Sequence, residues 1–163
     1  MAIELCRIDD RLIHGQVVVG WGQPLDVGFI VLVDDEVAAS DWEQELYRMG
    51  VPPEMDVFFH DVDGAAREFR RYVLDARPGI LLTGDIATMR RLVEVVPDIR
   101  AVNLGGIHHK PGRAQKLRYV FLSAEEESSL RALASRGVEV SAQDVPAARP
   151  IPLDAVLAGQ GDA

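Results

Sequence analysis

Short apolar runs alternate with segments of helical periodicity along this chain, and this alternation limits the possible folds more than any other feature. Seven runs are predicted to be strands: residues 2–8, 28–33, 55–59, 79–82, 101–104, 119–122 and 138–141. Strands that alternate with helices are typical of βαβ units, in which parallel strands form a twisted sheet covered by helices on both faces. The sequence therefore predicts an α/β fold with a mostly parallel sheet of about six to seven strands.

The segments between these runs carry the end signals of amphipathic helices. Apolar residues at helical intervals precede Gly50, a residue typical of helix C-termini. Asp85 is placed to cap the start of a later helix. Ser123 and Glu126 form a capping-box pattern, and the helix that they open is expected to end at Gly137.

Length and composition are those of an ordinary protein of one domain. Residues 1–163 suffice for one substantial core and are expected to form a single domain. The net charge of −9 disfavours nucleic-acid binding, because such binding depends on basic surface. The one cysteine, Cys6, lies in the first predicted strand and is expected to fill apolar space rather than form a disulfide.

Two features of the chain bear on its location and its surface. No apolar segment is long enough to cross a bilayer, and the first residues show no basic region followed by an apolar one. A cytoplasmic location is therefore expected. The proline-rich segment 145–152 is expected to run over the surface as an extended strap.

Polar residues follow several predicted strands where each strand ends. Ligands of an open parallel sheet bind outside the carboxyl ends of its strands, so these residues are expected to share one edge of the molecule. Outside the first loop the residues at these strand ends are Asp34-Asp35, His60-Asp61, Thr83-Gly84-Asp85 and Asn103. Asp34, Asp61 and Asp85 are interpreted as helix N-caps, since loops of this kind favour a capping carboxylate in any such fold.

The loop after the first strand carries charges that capping does not require. Residues 7–17 read RIDDRLIHGQV and place two carboxylates, two guanidiniums and one imidazole within eight positions. A neutral imidazole nitrogen is a nucleophile near pH 7, and its phosphoramidate transfers readily. Phosphoryl transfer is catalysed mainly by alignment and charge neutralisation, which an arginine fork supplies. The loop is therefore interpreted as an active-site loop that presents His14 beside Arg11, and phosphoryl transfer would explain why these residue types occur together.

Several neighbours are candidates for support of this site. Asp9 or Asp10 would hold Arg11 or orient the imidazole, and N–H groups near Gly15 would bind phosphoryl oxygens if a helix begins there. The full set of supporting candidates is Asp9, Asp10, Gly15, Gln16, Thr83 and Gly84. This chemistry requires no metal or other cofactor, and no spacing of metal ligands is found.

Three stretches resemble the IIB subunits of the mannose/fructose/sorbose family of the bacterial sugar phosphotransferase system (PTS). Residues 7–16 are similar to the family's phosphorylation-site segment, which Trp21 follows. Residues 33–38 (VDDEVA) resemble the segment after its second strand, and residues 102–107 (VNLGGI) resemble its Asn-(Ile/Leu)-Gly-Gly-Met stretch. Residues 82–85 (LTGD) and 108–113 (HHKPGR) depart from the family pattern, which leaves the sugar and the partner open.

The resemblance implies a phosphotransferase that carries a phosphohistidine. His14 would accept a phosphoryl group from a phosphohistidine of a IIA partner and pass it to a hydroxyl of a sugar held by membrane IIC and IID subunits. The arginine matching Arg11 has a transition-state role in that family. Through IIC and IID the protein would lie at the inner face of the membrane.

The sequence leaves one alternative function open and disfavours another. A regulatory IIB-like module would use phosphorylation of His14 to change its affinity for a partner, without sugar turnover. Because it needs the same histidine, the sequence does not separate it from the carrier. A nucleotide-binding α/β protein is disfavoured, since no glycine-rich phosphate loop follows a strand.

The remaining histidines, the two tryptophans and a basic cluster are expected to have structural rather than catalytic roles. His60 is expected to be a hydrogen-bonded structural histidine, and His108 and His109 are expected to face opposite ways on a strand and share no metal. Trp21 and Trp42 are expected in the core. A solvated loop is the default for the basic cluster, and docking of an acidic partner is the alternative; the cluster comprises Lys110, Arg113, Lys116 and Arg118.

Overall fold

A seven-stranded sheet runs through the computed structural model, which describes residues 2–159. Within these residues the strands are β1 (Ile3–Ile8), β2 (Phe29–Val33), β3 (Asp56–His60), β4 (Gly79–Thr83), β5 (Ala101–Leu104), β6 (Ala114–Leu117), β7 (Val120–Leu122), β8 (Glu139–Ala142) and β9 (Ile151–Pro152). The sheet has the order β3-β2-β4-β1-β5-β8-β9, and β6 pairs with β7 in a separate hairpin. All neighbours in the sheet are parallel except β8 and β9, as the alternation predicted.

Helices connect most of the parallel strands. They are α1 (Asp35–Ala38), α2 (Asp41–Met49), α3 (Val62–Val73), α4 (Ile86–Val95), α5 (Ala124–Ser135), α6 (Leu153–Leu157) and a short π-helix (Gln16–Trp21). Asp34, Asp61 and Asp85 cap α1, α3 and α4, and the capping box opens α5, so these predictions are confirmed. None of these helices is both long and apolar enough to cross a membrane.

The helices bury both faces of the sheet, as predicted. Side chains of α3, α4, α5 and α6 form one apolar core, and the π-helix and α1 contribute to the other. Alternate residues of β2 belong to opposite cores: Phe29, Val31 and Val33 to the first, Ile30 and Leu32 to the second. This burial on both sides explains why the strand is apolar without interruption.

The two ends of the predicted strand series differ from the structure. Residues 119–122 were expected in the sheet, but β7 pairs with β6 in an antiparallel hairpin. The seventh strand of the sheet is instead β9, from the segment predicted to be a strap. Pro152 fits there because proline has no N–H to donate and is tolerated at a sheet edge. An apolar run predicts a strand without indicating its partner.

Helix α2 forms where the sequence predicts it but presents its apolar residues to solvent. Trp42, Leu46 and Met49 are 71%, 55% and 77% exposed, so the expectation that Trp42 lies in the core is wrong. The opposite side of α2 faces the protein, where Tyr47 packs against Phe59 with ring centroids 6.5 Å apart. Both sides of this helix carry aromatic residues, so periodicity alone does not show which side is buried.

Candidate active site

The loop that follows β1 lies at the carboxyl edge of the sheet and is fixed there by its neighbours. The N–H of Asp9 donates to the carbonyl of Thr83 (2.9 Å), and the N–H of Asp10 donates to the carbonyl of Gly106 (2.9 Å). Leu12 has φ 59°, a left-handed conformation that is strained for a leucine. Strain of this kind persists only when the surroundings hold the backbone firmly, as the bonds from β4 and β5 do here.

Asp9 is the centre of the site. Its side chain is fully buried, and its two oxygens accept from Nε (3.0 Å) and Nη2 (2.9 Å) of Arg11. The N–H of Gly106 donates to it as well (3.3 Å). Burial raises the pKa of this carboxyl, but the contacts with His14 and Arg11 outweigh burial and hold the pKa well below its usual range. Asp9 is therefore ionised at neutral pH.

The imidazole of His14 is held in one orientation by two contacts. Nδ1 accepts from the backbone N–H of Gln16 (3.1 Å), and Nε2 lies 3.5 Å from Oδ1 of Asp9. A neutral imidazole that accepts at Nδ1 carries its proton on Nε2. Nε2 is buried and has no hydrogen-bond partner among residues 2–159, while 18% of the side chain stays exposed. The lone pair is on Nδ1, and the protonated nitrogen faces the carboxylate.

Arg11 lies beside the imidazole and keeps donors free. Its Nε contacts the same oxygen of Asp9 as His14 does, and its Nη1 donates to Oε1 of Gln16 (2.9 Å). Hydrogen bonds to residues that the structure describes use one N–H on each of its three nitrogens. A guanidinium has five N–H groups, so one remains on each terminal nitrogen. With 35% of the side chain exposed, these donors can meet an anion at the edge.

Arg7 is part of this network, although the sequence analysis assigned it no role. Its side chain is fully buried, and Nη2 contacts Asp9 (3.4 Å) and the carbonyl of Asp144 (3.2 Å). Nη1 donates to Oδ1 of Asn103, the residue paired with Arg7 on β5, and the guanidinium lies 4.8 Å from the ring of Trp21. Burial lowers the pKa of Arg7. The available signal was a second charged residue, besides Glu4, in a mainly apolar strand.

Asp144 was also missed, and no motif marks it. Nε2 of Gln16 donates to both the carbonyl and Oδ1 of Asp144 (3.0 Å each), and Nε1 of Trp21 donates to the same carbonyl (3.3 Å). Oδ2 of Asp144 accepts from Nη2 of Arg118 (3.1 Å). The residue follows β8, far along the chain from Gln16, and only the fold brings the two together. Trp21 is 4% exposed, which confirms its predicted place in the core.

The two glycines after β5 allow the backbone to reach this network. A Cβ on Gly105 would lie 2.3 Å from Nη2 of Arg7 and 2.6 Å from Oδ2 of Asp9. Neither atom can move away easily, because both side chains are fully buried. A Cβ on Gly106 would lie 3.3 Å from Arg11. Gly105 is therefore required where the chain after β5 passes the buried charges, whereas a side chain at Gly106 would need only a small shift of Arg11.

The structure separates the remaining candidates. Asp10 is held by His108, whose N–H (2.7 Å) and Nδ1 (2.6 Å) contact its carboxylate, so Asp9 is the aspartate that contacts both Arg11 and His14. Gly15 is exposed, and no atom would lie within 4 Å of a Cβ placed there. The supporting positions at the end of β4 face other parts of the protein: the hydroxyl of buried Thr83 donates to the carbonyl of Asp85, and the half-buried Gly84 lies against Leu12.

Most basic side chains near this edge are already paired. Arg113 makes two bonds to Glu126 (2.8 and 2.6 Å), and Lys116 lies 3.6 Å from Glu127. Their side chains are only 12% and 19% exposed, so neither residue belongs to a solvated loop.

Away from the site, Nε2 of His60 lies 2.5 Å from the hydroxyl of Tyr72, which confirms a hydrogen-bonded structural histidine.

Cysteine and the other residue types that bind metals show the following arrangement in the part of the chain that the structure describes. Cys6 is buried and free, and burial raises the pKa of its thiol to about 12, as expected for apolar filling. Residues 2–159 contain no group of three or more His, Cys, Asp or Glu side chains placed to hold a metal ion.

Several known proteins with similar sequences are named as IIB or EIIAB components. Residues 3–162 match the family model of the PTS system sorbose subfamily IIB component. The N-acetylgalactosamine-specific phosphotransferase enzyme IIB component 1 of Escherichia coli K12 is 35% identical over 153 residues, which cover 88% of this chain and 91% of that protein. The mannose-specific EIIAB component of the same strain is 33% identical over 89% of this chain. The chain spans 45% of that longer relative.

Solved structures show the same architecture. The crystal structure of manxB from Thermoanaerobacter tengcongensis has a TM-score of 0.86 and 33% identity, with 96% of this chain and 95% of that chain covered. The IIBSor domain of the sorbose permease from Klebsiella pneumoniae has a TM-score of 0.87 and 27% identity, with 97% and 98% covered. On the match of 3–162 and these relatives, the chain belongs to the sorbose subfamily of PTS IIB components.

Proposed function

We propose that the protein is a phosphohistidine carrier of a sugar phosphotransferase system. His14 takes a phosphoryl group from a IIA phosphodonor and gives it to a sugar bound by membrane IIC and IID subunits, in the cytoplasm at the inner face of the membrane. The observation that carries the proposal is the fixed imidazole: Nε2 faces the carboxylate of Asp9, which also holds Arg11, and the lone pair is on Nδ1. Membership of the IIB family supports the same activity.

In the first transfer, Nδ1 of His14 attacks phosphorus in line with the donor nitrogen. The bond between Nδ1 and phosphorus forms as the donor N–P bond breaks, and the bonding pair returns to the donor imidazole. The ring of His14 keeps its proton on Nε2 and becomes positively charged, so the ionised carboxylate of Asp9 stabilises it. The backbone N–H of Gln16, which is bonded to Nδ1 at rest, becomes free for a phosphoryl oxygen.

Arg11 acts on the phosphoryl group itself. The transition state spreads negative charge over three equatorial oxygens, and the two free N–H groups of the guanidinium are placed to neutralise it. Asp9 and Gln16 hold the other N–H groups, which fixes the plane of the guanidinium before the donor arrives. A preorganised charge of this kind is worth more than a mobile one, because it does not reorganise during the reaction.

In the second transfer, Nδ1 of His14 is the leaving group instead of the nucleophile. A sugar hydroxyl oxygen attacks phosphorus, the N–P bond breaks, and its electron pair returns to Nδ1 while the hydroxyl proton is lost to a base outside this chain. Both partners need access to one side of the ring. The exposed Gly15 next to His14 leaves that side open.

The test is labelling with radioactive phosphate followed by a chase with sugar. The protein is incubated with a phosphorylated IIA protein of the same organism, and the acid-labile label is mapped. We expect label in the wild type and in His60→Ala, and none in His14→Ala. Adding membranes that contain IIC and IID together with sugar should move the label to the sugar. Label on another residue contradicts the proposal, and label that never reaches any sugar favours the regulatory module.

A further inference from the structure

A groove of about 570 Å³ lies beside the candidate active site and has no part in the chemistry described so far. The segment that follows β8 forms one wall, and the turn between β6 and β7 forms the other. Asp144 belongs both to this groove and to the site, since its side chain and carbonyl accept from Gln16. The groove is therefore in contact with Gln16, whose side chain accepts a hydrogen bond from Arg11.

The lining of the groove combines an aliphatic floor with a basic rim. The floor is made by Val145, Ala148, Ile151, Pro152 and Ala155. The guanidiniums of Arg118 and Arg149 stand at the rim, in a chain whose net charge is −9. Arg149 makes no ion pair or hydrogen bond to any residue in 2–159, and 60% of the Arg118 side chain is exposed although it contacts Asp144.

This lining selects a particular kind of occupant. The aliphatic side chains of the floor offer no hydrogen-bonding groups, and the polar groups of the lining are the two guanidiniums, Tyr119 and the carboxylate of Asp144. A peptide that carries apolar side chains and carboxylates satisfies both the floor and the rim. Other basic residues at this edge are less available, because Arg113 is bound to Glu126 and mostly buried.

We propose that the groove is the docking site of the phosphodonor and that it receives an extended segment of the IIA partner rich in acidic and apolar residues. This inference rests on the proposed function and adds where the donor binds. Carboxylates of the segment pair with Arg118 and Arg149, and its apolar side chains cover Ile151 and Ala155. Docking there brings the donor next to Asp144 and Gln16, and so within reach of His14.

Arg149→Glu tests the rim, with Arg67→Glu as its control. Arg149 is exposed and makes no ion pair or hydrogen bond within residues 2–159, and Arg67 is an exposed arginine of α3, the helix that packs against β3 at the far edge of the sheet. The measurement is the concentration of phosphorylated IIA protein that gives half-maximal labelling of His14. We expect a rise of about tenfold for Arg149→Glu and no change for Arg67→Glu, with the difference shrinking as salt is added.

Ala155→Trp tests the floor without changing charge. The indole would occupy the groove, so we expect the same loss of apparent affinity, independent of salt, in a protein whose thermal unfolding shows it to be folded. Equal half-maximal concentrations in wild type, Arg149→Glu and Ala155→Trp would overturn the docking site and leave the carrier function intact. A wild type that takes no label at His14 overturns the carrier function instead.

Discussion

At the scale of single residues, one buried carboxylate organises the whole site. Asp9 contacts Arg7, Arg11 and His14, so two guanidiniums and an imidazole share a single negative charge. Charges that are buried without a partner are costly, and the mutual contacts are what make this arrangement stable. The same contacts set the tautomer of His14 and the plane of Arg11, so stability and reactivity depend on the same atoms.

The charge of Asp9 predicts a loss of stability in acid. The pKa of Asp9 in the folded protein lies below its ordinary value of 3.8. As the pH falls below 3.8, Asp9 is therefore protonated in the unfolded chain while it is still ionised in the folded protein. Its contribution to the free energy of unfolding is full above the ordinary value and is lost as the pH falls through the folded pKa. In chemical denaturation, the stability difference between wild type and Asp9→Asn should shrink on acidification; a difference independent of pH would contradict this assignment.

Removal of the Arg11 guanidinium is expected to lower the rate of phosphoryl transfer more than the affinity for the phosphodonor. In the proposed transfer its two free N–H groups would neutralise charge most strongly in the transition state, so Arg11→Ala should slow phosphorylation of His14 on the order of 10²-fold or more. Arg11→Lys should recover little, because an ammonium does not reproduce the planar fork that is fixed by Asp9. Single-turnover kinetics at saturating phosphodonor measure this step, and an unchanged rate in folded Arg11→Ala would remove Arg11 from the mechanism.

At the scale of elements, the ends of β1 and β5 are fitted to each other. Arg7 on β1 is paired with Asn103 on β5, and Gly105 follows where a side chain would collide with buried charges. The π-helix after His14 supplies the N–H of Gln16 and buries Trp21 against Arg7. Two strand ends and one helical turn therefore hold the reactive side chains from different directions.

A pair of glycine-to-alanine variants tests this fit. Gly105→Ala would force a Cβ to 2.3 Å from Arg7, and overpacking of this kind costs about 1–3 kcal/mol of stability or more. Gly15→Ala is the matched control, since the site is open and Gly15 has helical φ −53°. Chemical denaturation should show a large loss for Gly105→Ala and almost none for Gly15→Ala. Equal stabilities would mean that β5 is not packed as closely as described.

At the scale of the whole molecule, the sequence predicted what depends on local pattern. The parallel sheet, the helices on both faces, the caps at Asp34, Asp61 and Asp85 and the loop with His14 all follow from spacing and composition. The misplaced features depend on contacts between distant segments. β7 lies in a hairpin outside the sheet, β9 is a strand of the sheet, and Asp144 contacts Gln16 although the two are far apart in the chain. A local sequence pattern encodes none of these three features.

We propose that Asp9 fixes the imidazole of His14 so that Nδ1 is the nucleophile. The most direct measurement is heteronuclear NMR of the phosphorylated protein with ¹⁵N-labelled histidine, which shows the ring nitrogen that carries phosphorus. The geometry predicts an N–P bond at Nδ1 and a proton on Nε2 facing Asp9. Phosphorus on Nε2 of His14, or on any other residue, would contradict the account.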